Sequence, residues 1–245
     1  MDLEHDDPKV QEIFQRINRT ANALTGIEKK SSEFSASEYM MVAEYISKQS
    51  IVSLEDDDLS VINDDDDLVK KGNYIRENPY LDANMKKWFK SININEFSKL
   101  ITSDNLFTKN EIAKKGNLMY TLNLMTTYLC NDMYNRNEKV WEYAEMNSDV
   151  FRDKDDLVNV FNEAAKIFLS FKFKKSSFWL KKANFFSLFL VLCKNLKNIK
   201  DPEMLKAKLE NFKPSDLYIL SAKEGVNNLK ERRIRDAEIT RLLGF

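Results

Sequence analysis

Glycine and proline are scarce in this sequence, and their scarcity limits the folds open to it. The 245 residues include five glycines and four prolines, about a third of the usual share of roughly 12%. Hairpins and nucleotide-binding loops need glycine for positive φ, and many turns need proline. An all-β fold and a Rossmann or P-loop fold are therefore disfavoured. With 43% hydrophobic and 31% charged residues, the composition predicts a soluble helical protein.

Helix signals recur along the chain. Asp7-Pro8 has the pattern of a helix start, and Thr25-Gly26 indicates where that helix ends. Thr108-x-x-Glu111 is a capping box, which predicts the start of a long helix running to Met133. The most apolar helix is expected over 178–196. These patterns predict an all-α fold, an irregular multi-helix bundle.

Charge is segregated although the net charge is only −1. Residues 1–68 carry 17 acidic and 6 basic side chains, whereas 169–200 carry eight lysines and no acid. Arg232 and Arg235 share a predicted helix with Ile234, Ile239, Leu242 and Leu243, so the apolar positions should dock and the arginines stay available. The sequence thus predicts one basic face, formed by Lys181, Lys182, Arg232, Arg233 and Arg235. This face would either contact nucleic-acid phosphates or pair with the acidic N-terminal half.

Seven aspartates cluster at 56–58 and 64–67. Mutual repulsion predicts a mobile acidic loop over 50–77. Calcium binding is the alternative, but the segment lacks the glycine and glutamate of an EF-hand loop in register. A surface loop is the favoured interpretation.

No catalytic or metal-binding constellation is recognisable. His5 is the single histidine, and Cys130 and Cys193 lie far apart inside apolar runs, so neither a histidine-based triad nor a structural zinc site is predicted. The N-terminus has no signal-peptide pattern, and the longest apolar run, Phe185–Cys193, is shorter than the ~20 residues that a membrane span needs. We expect a cytoplasmic protein with reduced thiols and no membrane association.

A polar cluster follows the first apolar stripe. Arg16, Asn18, Arg19 and Thr20 lie together at the expected end of the first helix. They could complement the helix dipole and the last carbonyls, or Arg could offer a planar fork to phosphate and Asn a donor and an acceptor. Both interpretations remain open on the residues alone.

The run Phe14-x-Arg16-Ile17-Asn18-x-Thr20, followed by Leu24, resembles the F-x-R-I-N-x-T-G-x-x-L element of a large bacterial family. That family has a ParB/sulfiredoxin-like N-terminal domain and includes GmrSD-type modification-dependent restriction enzymes and related phage-defence proteins. Ala21 stands where the family usually has glycine. The family's D-G-Q-Q-R motif and its frequent C-terminal HNH nuclease domain are absent from this sequence.

The resemblance implies a role for the polar cluster. Arg16, Asn18, Arg19 and Thr20 would line the edge of a nucleotide or DNA site. A separate chain carrying the D-G-Q-Q-R domain would complete that site, with nucleotide and Mg²⁺ in the full assembly and no cofactor in this chain. Three parts follow: a remnant of the ParB-like α/β domain, a helix with the acidic loop, and the helical bundle, at 1–26, 27–84 and 85–245.

Three functions follow as hypotheses. The first is a non-catalytic helical portion of a GmrSD-like restriction or phage-defence protein that scaffolds a nucleotide- or DNA-binding site. The second is a metal-dependent nuclease or NTPase that uses carboxylates whose positions the spacing does not reveal. The third is a protein-interaction module with no nucleic-acid role.

Overall fold

Helices account for all the regular structure in the part of the chain that the computed structural model describes, residues 25–48 and 80–245. Within these ranges there are twelve α-helices, two short 3₁₀-helices and no strand, which confirms the all-α prediction. The α-helices, α1 to α12 in chain order, are Gly26–Glu33, Glu38–Ile46, Ala83–Ser91, Asn95–Ile101, Lys109–Ala113, Gly116–Leu129, Val140–Met146, Lys154–Ser170, Lys182–Asn195, Pro202–Glu210, Asp216–Ser221 and Leu229–Leu243. The 3₁₀-helices are Phe178–Leu180 and Leu196–Asn198.

The start of α1 adds a helix signal that the sequence analysis did not identify. Thr25-Gly26 begins a helix, whereas the helix predicted to end there lies outside the described residues: the Thr25 side chain accepts from the Glu28 amide, and Glu28 Oε2 accepts from the Thr25 amide at 2.6 Å. The pair forms a capping box, in which a glutamate three residues on satisfies a second free amide. Glu28 was the residue that marks this start in the sequence.

The segment after Thr108 also differs from its prediction. The capping box with Glu111 is present, but α5 ends at Ala113 and Lys115 adopts φ 57°, so the expected single long helix is two. Gly116 then starts α6, where an added Cβ would lie 2.9 Å from the Glu111 carbonyl oxygen. A similar break separates the 3₁₀-helix at 178–180 from α9, which starts at Lys182. In both places one continuous helix was expected, and the structure has a short helix followed by a long one. The long helices are α6 and α9.

The centre of the bundle is aromatic. Phe189 of α9 is fully buried, with its ring 5.5 Å from that of Phe97 on α4, 5.4 Å from Phe161 on α8 and 5.4 Å from Phe185. Helix α9 is predicted as the centre of the bundle, and its burial confirms this. Burial of these four rings contributes to the hydrophobic free energy that drives folding.

The first described helices belong to the same core. The Tyr39 side chain of α2 is fully buried and its hydroxyl lies 2.8 Å from Thr126 Oγ1 on α6. At the other end of the chain, Ile239 and Leu243 of α12 are buried against α9 and α10. Segments far apart in sequence thus share one hydrophobic cluster.

Candidate functional site

The structure places the predicted basic residues in two different environments. Arg232 and Arg235 are only 2% and 1% exposed, whereas Lys181 and Arg233 face solvent. The prediction of one exposed basic face is therefore wrong for Arg232 and Arg235. Arg232, Arg235 and Ile239 follow one another at intervals of three and four residues. Residues at these intervals lie on one side of a helix, so both arginines share the buried side of α12 with Ile239.

Arg233 and Lys181 make surface contacts with other described residues. Arg233 Nη2 lies 3.2 Å from Asp132 Oδ1, and both side chains are more than half exposed. Lys181 Nζ lies 6.0 Å from the centroid of the Phe178 ring. Exposed pairs of this kind contribute little to stability.

Arg232 is buried between aromatic rings. Its guanidinium carbon lies 4.8 Å from the Phe186 ring centroid and 5.1 Å from that of Tyr134. Nη1 donates to the Tyr134 carbonyl and Nη2 to Asn123 Oδ1, each at 3.2 Å. Nε has no acceptor among the described residues. The guanidinium thus retains donor capacity, since arginine has five N–H groups.

Arg235 connects three elements. Nε donates to Ser187 Oγ of α9 at 3.3 Å, Nη1 to the Ser221 carbonyl at the end of α11, and Nη2 to the Val226 carbonyl. These acceptors are neutral. Arg235 therefore holds α12, α11 and the following loop together without neutralising its own charge.

The guanidinium charges are only partly compensated in the described part of the chain: Glu231 acts on Arg235 electrostatically without forming an ion pair with it. Neither Arg232 nor Arg235 forms an ion pair with a described carboxylate; their bonded partners are carbonyls, Asn123 and Ser187. Burial lowers the pKa of both side chains, and the positive charge of Arg232 adds to the lowering at Arg235. A buried charge without a counter-ion is energetically unfavourable, so an anion that approached it would be stabilised.

A cavity of about 350 Å³ provides access to these charges. It lies between the α5–α6 junction, the start of α9 and the start of α12. The described side chains that line it include three cations, Lys182, Arg232 and Arg235, and one carboxylate, Glu111. Its apolar walls come from Phe107, Met119, Tyr120 and Phe186. We call this space the cationic cavity.

An ion pair lies at the cavity wall. Lys182 Nζ contacts Glu111 Oε1, and the two side chains are 40% and 42% exposed. Glu111 also accepts from the Thr108 amide through its other oxygen, Oε2, at 2.9 Å. The contact with Lys182, followed by the bond from the Thr108 amide, lowers the pKa of Glu111. Glu111 is therefore ionised and partly neutralises the cavity.

Two helix N-termini border the same cavity. Gly116 begins α6, and Lys182 and Ala183 begin α9. Each helix has 14 residues, no capping side chain and no acidic residue in its first turn. The positive end of a helix dipole and its free amides favour an anion. Both helix starts therefore reinforce the positive charge of Lys182, Arg232 and Arg235.

Several predicted features lie outside the described residues. They are Arg16, Asn18, Arg19 and Thr20, together with His5 and the acidic loop at 50–77. The domain remnant at 1–26 also falls there except for its last two residues. These interpretations stay predictions.

The described ranges contain no group of three or more histidine, cysteine, aspartate or glutamate side chains that could hold a metal ion. In the same ranges no helix has both the length and the apolar character of a membrane span. Cys130 and Cys193 are both free thiols. No known protein family, curated protein or solved structure matches the chain significantly.

Proposed function

We propose that this chain is a helical, non-catalytic portion of a GmrSD-like modification-dependent restriction or phage-defence protein, and that its bundle binds a phosphate-bearing ligand, a nucleotide or DNA. The supporting observation is the excess of positive charge in the cationic cavity: three cations to one carboxylate among the described lining residues. The relation to the GmrSD family rests on the resemblance of residues 14–20.

Phosphate is the anion that best fits this chemistry. Arginine and helix N-terminal amides are common phosphate-binding groups in proteins. A phosphate also has more acceptor oxygens and more charge than a carboxylate. It would offset the unfavourable burial of Arg232 and Arg235 as well as bind Lys182.

The proposed assembly contains two further parts, the polar cluster at residues 16–20 and a second chain. Arg16, Asn18, Arg19 and Thr20 would contribute to the edge of a nucleotide or DNA site, as the resemblance implies. A second chain with the D-G-Q-Q-R motif would supply the catalytic groups, with nucleotide and Mg²⁺ bound there. The assembly would work in the cytoplasm, where thiols such as Cys193 stay reduced.

Replacing Lys182 with alanine tests the site. We expect K182A to weaken binding of inorganic phosphate about 10- to 100-fold, because one charge-assisted hydrogen bond is worth ~1.5–3 kcal/mol. Isothermal titration calorimetry measures the change. K181A is the matched control, since Lys181 is adjacent in sequence and exposed but does not line the cavity. Equal weakening by both variants would indicate diffuse surface attraction and contradict the proposal.

The non-catalytic part of the proposal has its own test. Purified chain incubated with GTP, ATP or plasmid DNA in Mg²⁺ or Mn²⁺ should give no turnover above a buffer blank, because no constellation of catalytic residues was recognised. Release of phosphate and plasmid cleavage are the measurements. Activity that co-purifies with the chain and persists through repeated chromatography would favour the enzyme hypothesis instead.

A further inference from the structure

We infer that the cationic cavity takes a small phosphate monoester that carries an aromatic ring, of mononucleotide size, and that its phosphate replaces the Glu111 carboxylate as the partner of Lys182. This inference rests on the proposed phosphate binding and specifies the ligand.

The size of the cavity favours a small ligand. Its volume of about 350 Å³ lies at the lower end of the range of ~300–1,000 Å³ that is usual for small-molecule pockets. A nucleic-acid duplex is too wide to enter such a space. Only a free small molecule or the end of a single strand fits.

The walls of the cavity have two kinds of chemistry. Phe107, Met119, Tyr120 and Phe186 give an apolar surface, and the cations Lys182, Arg232 and Arg235 lie beside it. Inorganic phosphate would use only the cations and leave the apolar walls in contact with water. A phosphate attached to an aromatic ring uses both, because planar rings pack favourably on Phe and Tyr.

Glu111 already behaves as a tethered anion for this cavity. Its Oε1 contacts Lys182, the first residue of α9. The carboxylate therefore neutralises part of the positive charge of the cavity. A phosphate monoester carries up to two negative charges and three acceptor oxygens, and it can therefore compete with one carboxylate for the same ammonium group.

Release of Lys182 need not disturb the fold. Glu111 binds Lys182 through Oε1, whereas Oε2 accepts from the Thr108 amide at 2.9 Å and from Thr108 Oγ1 at 3.1 Å. The cap of α5 therefore persists when Oε1 loses its partner. The two functions of this side chain are divided between its two oxygens.

The experiment is calorimetric titration of the full chain with three kinds of probe. These are the four nucleoside 5′-monophosphates, the corresponding nucleosides, and inorganic phosphate. We expect at least one nucleotide to bind ten times or more tightly than phosphate and than its nucleoside. The E111Q variant should bind that nucleotide about three to ten times more tightly, since Lys182 loses a competing charge, and glutamine still completes the capping box.

A second measurement uses the wild-type chain. The ¹³C resonance of the Glu111 carboxyl group should shift on nucleotide binding, because Oε1 loses its cationic partner. This result does not depend on the folding of a variant. A Glu111 signal that stays unchanged at nucleotide saturation would overturn the displacement, as would an E111Q variant that folds but binds no more tightly.

Failure of the inference is distinguishable from failure of the proposed function. If phosphate binds as tightly as every nucleotide, the aromatic part of the ligand is wrong but phosphate binding stands. If neither phosphate nor any nucleotide binds, the proposed site itself fails. A 5′-phosphorylated oligonucleotide distinguishes a strand end from a free nucleotide as the source of the phosphate. If the oligonucleotide binds, the ligand is a strand end, and if it fails to bind where a nucleotide binds, the ligand is a free nucleotide. Equal binding of the 5′-hydroxyl oligonucleotide would overturn the inference.

Discussion

Replacing Arg235 with alanine will lower the free energy of unfolding by about 2–3 kcal/mol, because the loss of its hydrogen bonds and the void that it leaves outweigh the relief of a buried charge. Arg235 is 1% exposed and donates to groups on α9, α11 and the loop after it. Truncation leaves the Ser221 and Val226 carbonyls buried without these donors and opens a void between helices. Urea unfolding followed by circular dichroism measures the loss.

The neighbouring arginine is the control. Arg233 is exposed and, among the described residues, pairs with Asp132 alone, so R233A should change stability by no more than ~0.5 kcal/mol. Equal effects of R233A and R235A would contradict the assignment of Arg235 to the interior. Phosphate binding by R233A should also remain as in the wild type.

Replacing Phe189 with alanine will have a comparable effect for a different reason. Its ring is fully buried at the centre of α9, among the rings of Phe97, Phe161 and Phe185. Deletion of a buried aromatic side chain costs about 3–5 kcal/mol, from lost transfer free energy and the cavity that remains. The midpoint of urea unfolding should fall with little change in slope.

An exposed apolar residue supplies the comparison for Phe189. Leu217 on α11 is 65% exposed, so L217A should shift the unfolding free energy by no more than ~0.5 kcal/mol. A loss below ~1 kcal/mol for F189A would mean that the aromatic cluster is not the centre of the core. That outcome would require a different packing of α4, α8 and α9.

Periodicity and capping were sufficient to predict much of the fold. The scarcity of glycine and proline excluded β architectures, and the apolar run in 178–196 identified the central helix. Thr108-x-x-Glu111 begins a helix as its residue types require. Such signals are local, since each depends on side chains within one helical turn.

The errors arose where tertiary contacts decide. The break at Lys115 has positive φ and the glycine after it lies close to the Glu111 carbonyl, a constraint that no single-helix pattern reveals. Arg232 and Arg235 were expected to stay available because the apolar positions of the same helix were expected to form the face that docks, and because arginine is rarely fully buried. Their spacing from Ile239 and Leu243 did indicate the buried side of α12, but residue type outweighed position.

The candidate site was only partly accessible from sequence. Lys182, Arg232 and Arg235 were named for their charge, but nothing local joined them to Glu111 or to the start of α6. These groups come from α5, α6, α9 and α12 and meet only after the helices pack. Their convergence depends on the helix breaks before Gly116 and Lys182. Periodicity alone did not predict these breaks, because the apolar pattern continues across them.

The most direct test of the account is an NMR titration of the ¹⁵N-labelled full chain with inorganic phosphate at constant ionic strength. The account predicts saturable shifts of the backbone amides of Gly116, Lys182 and Ala183, the two helix starts that border the cationic cavity. In K182A the Gly116 and Ala183 shifts should need about 10- to 100-fold more phosphate to saturate. Unchanged amides at these positions, with shifts confined to exposed lysines such as Lys174 and Lys175, would contradict it.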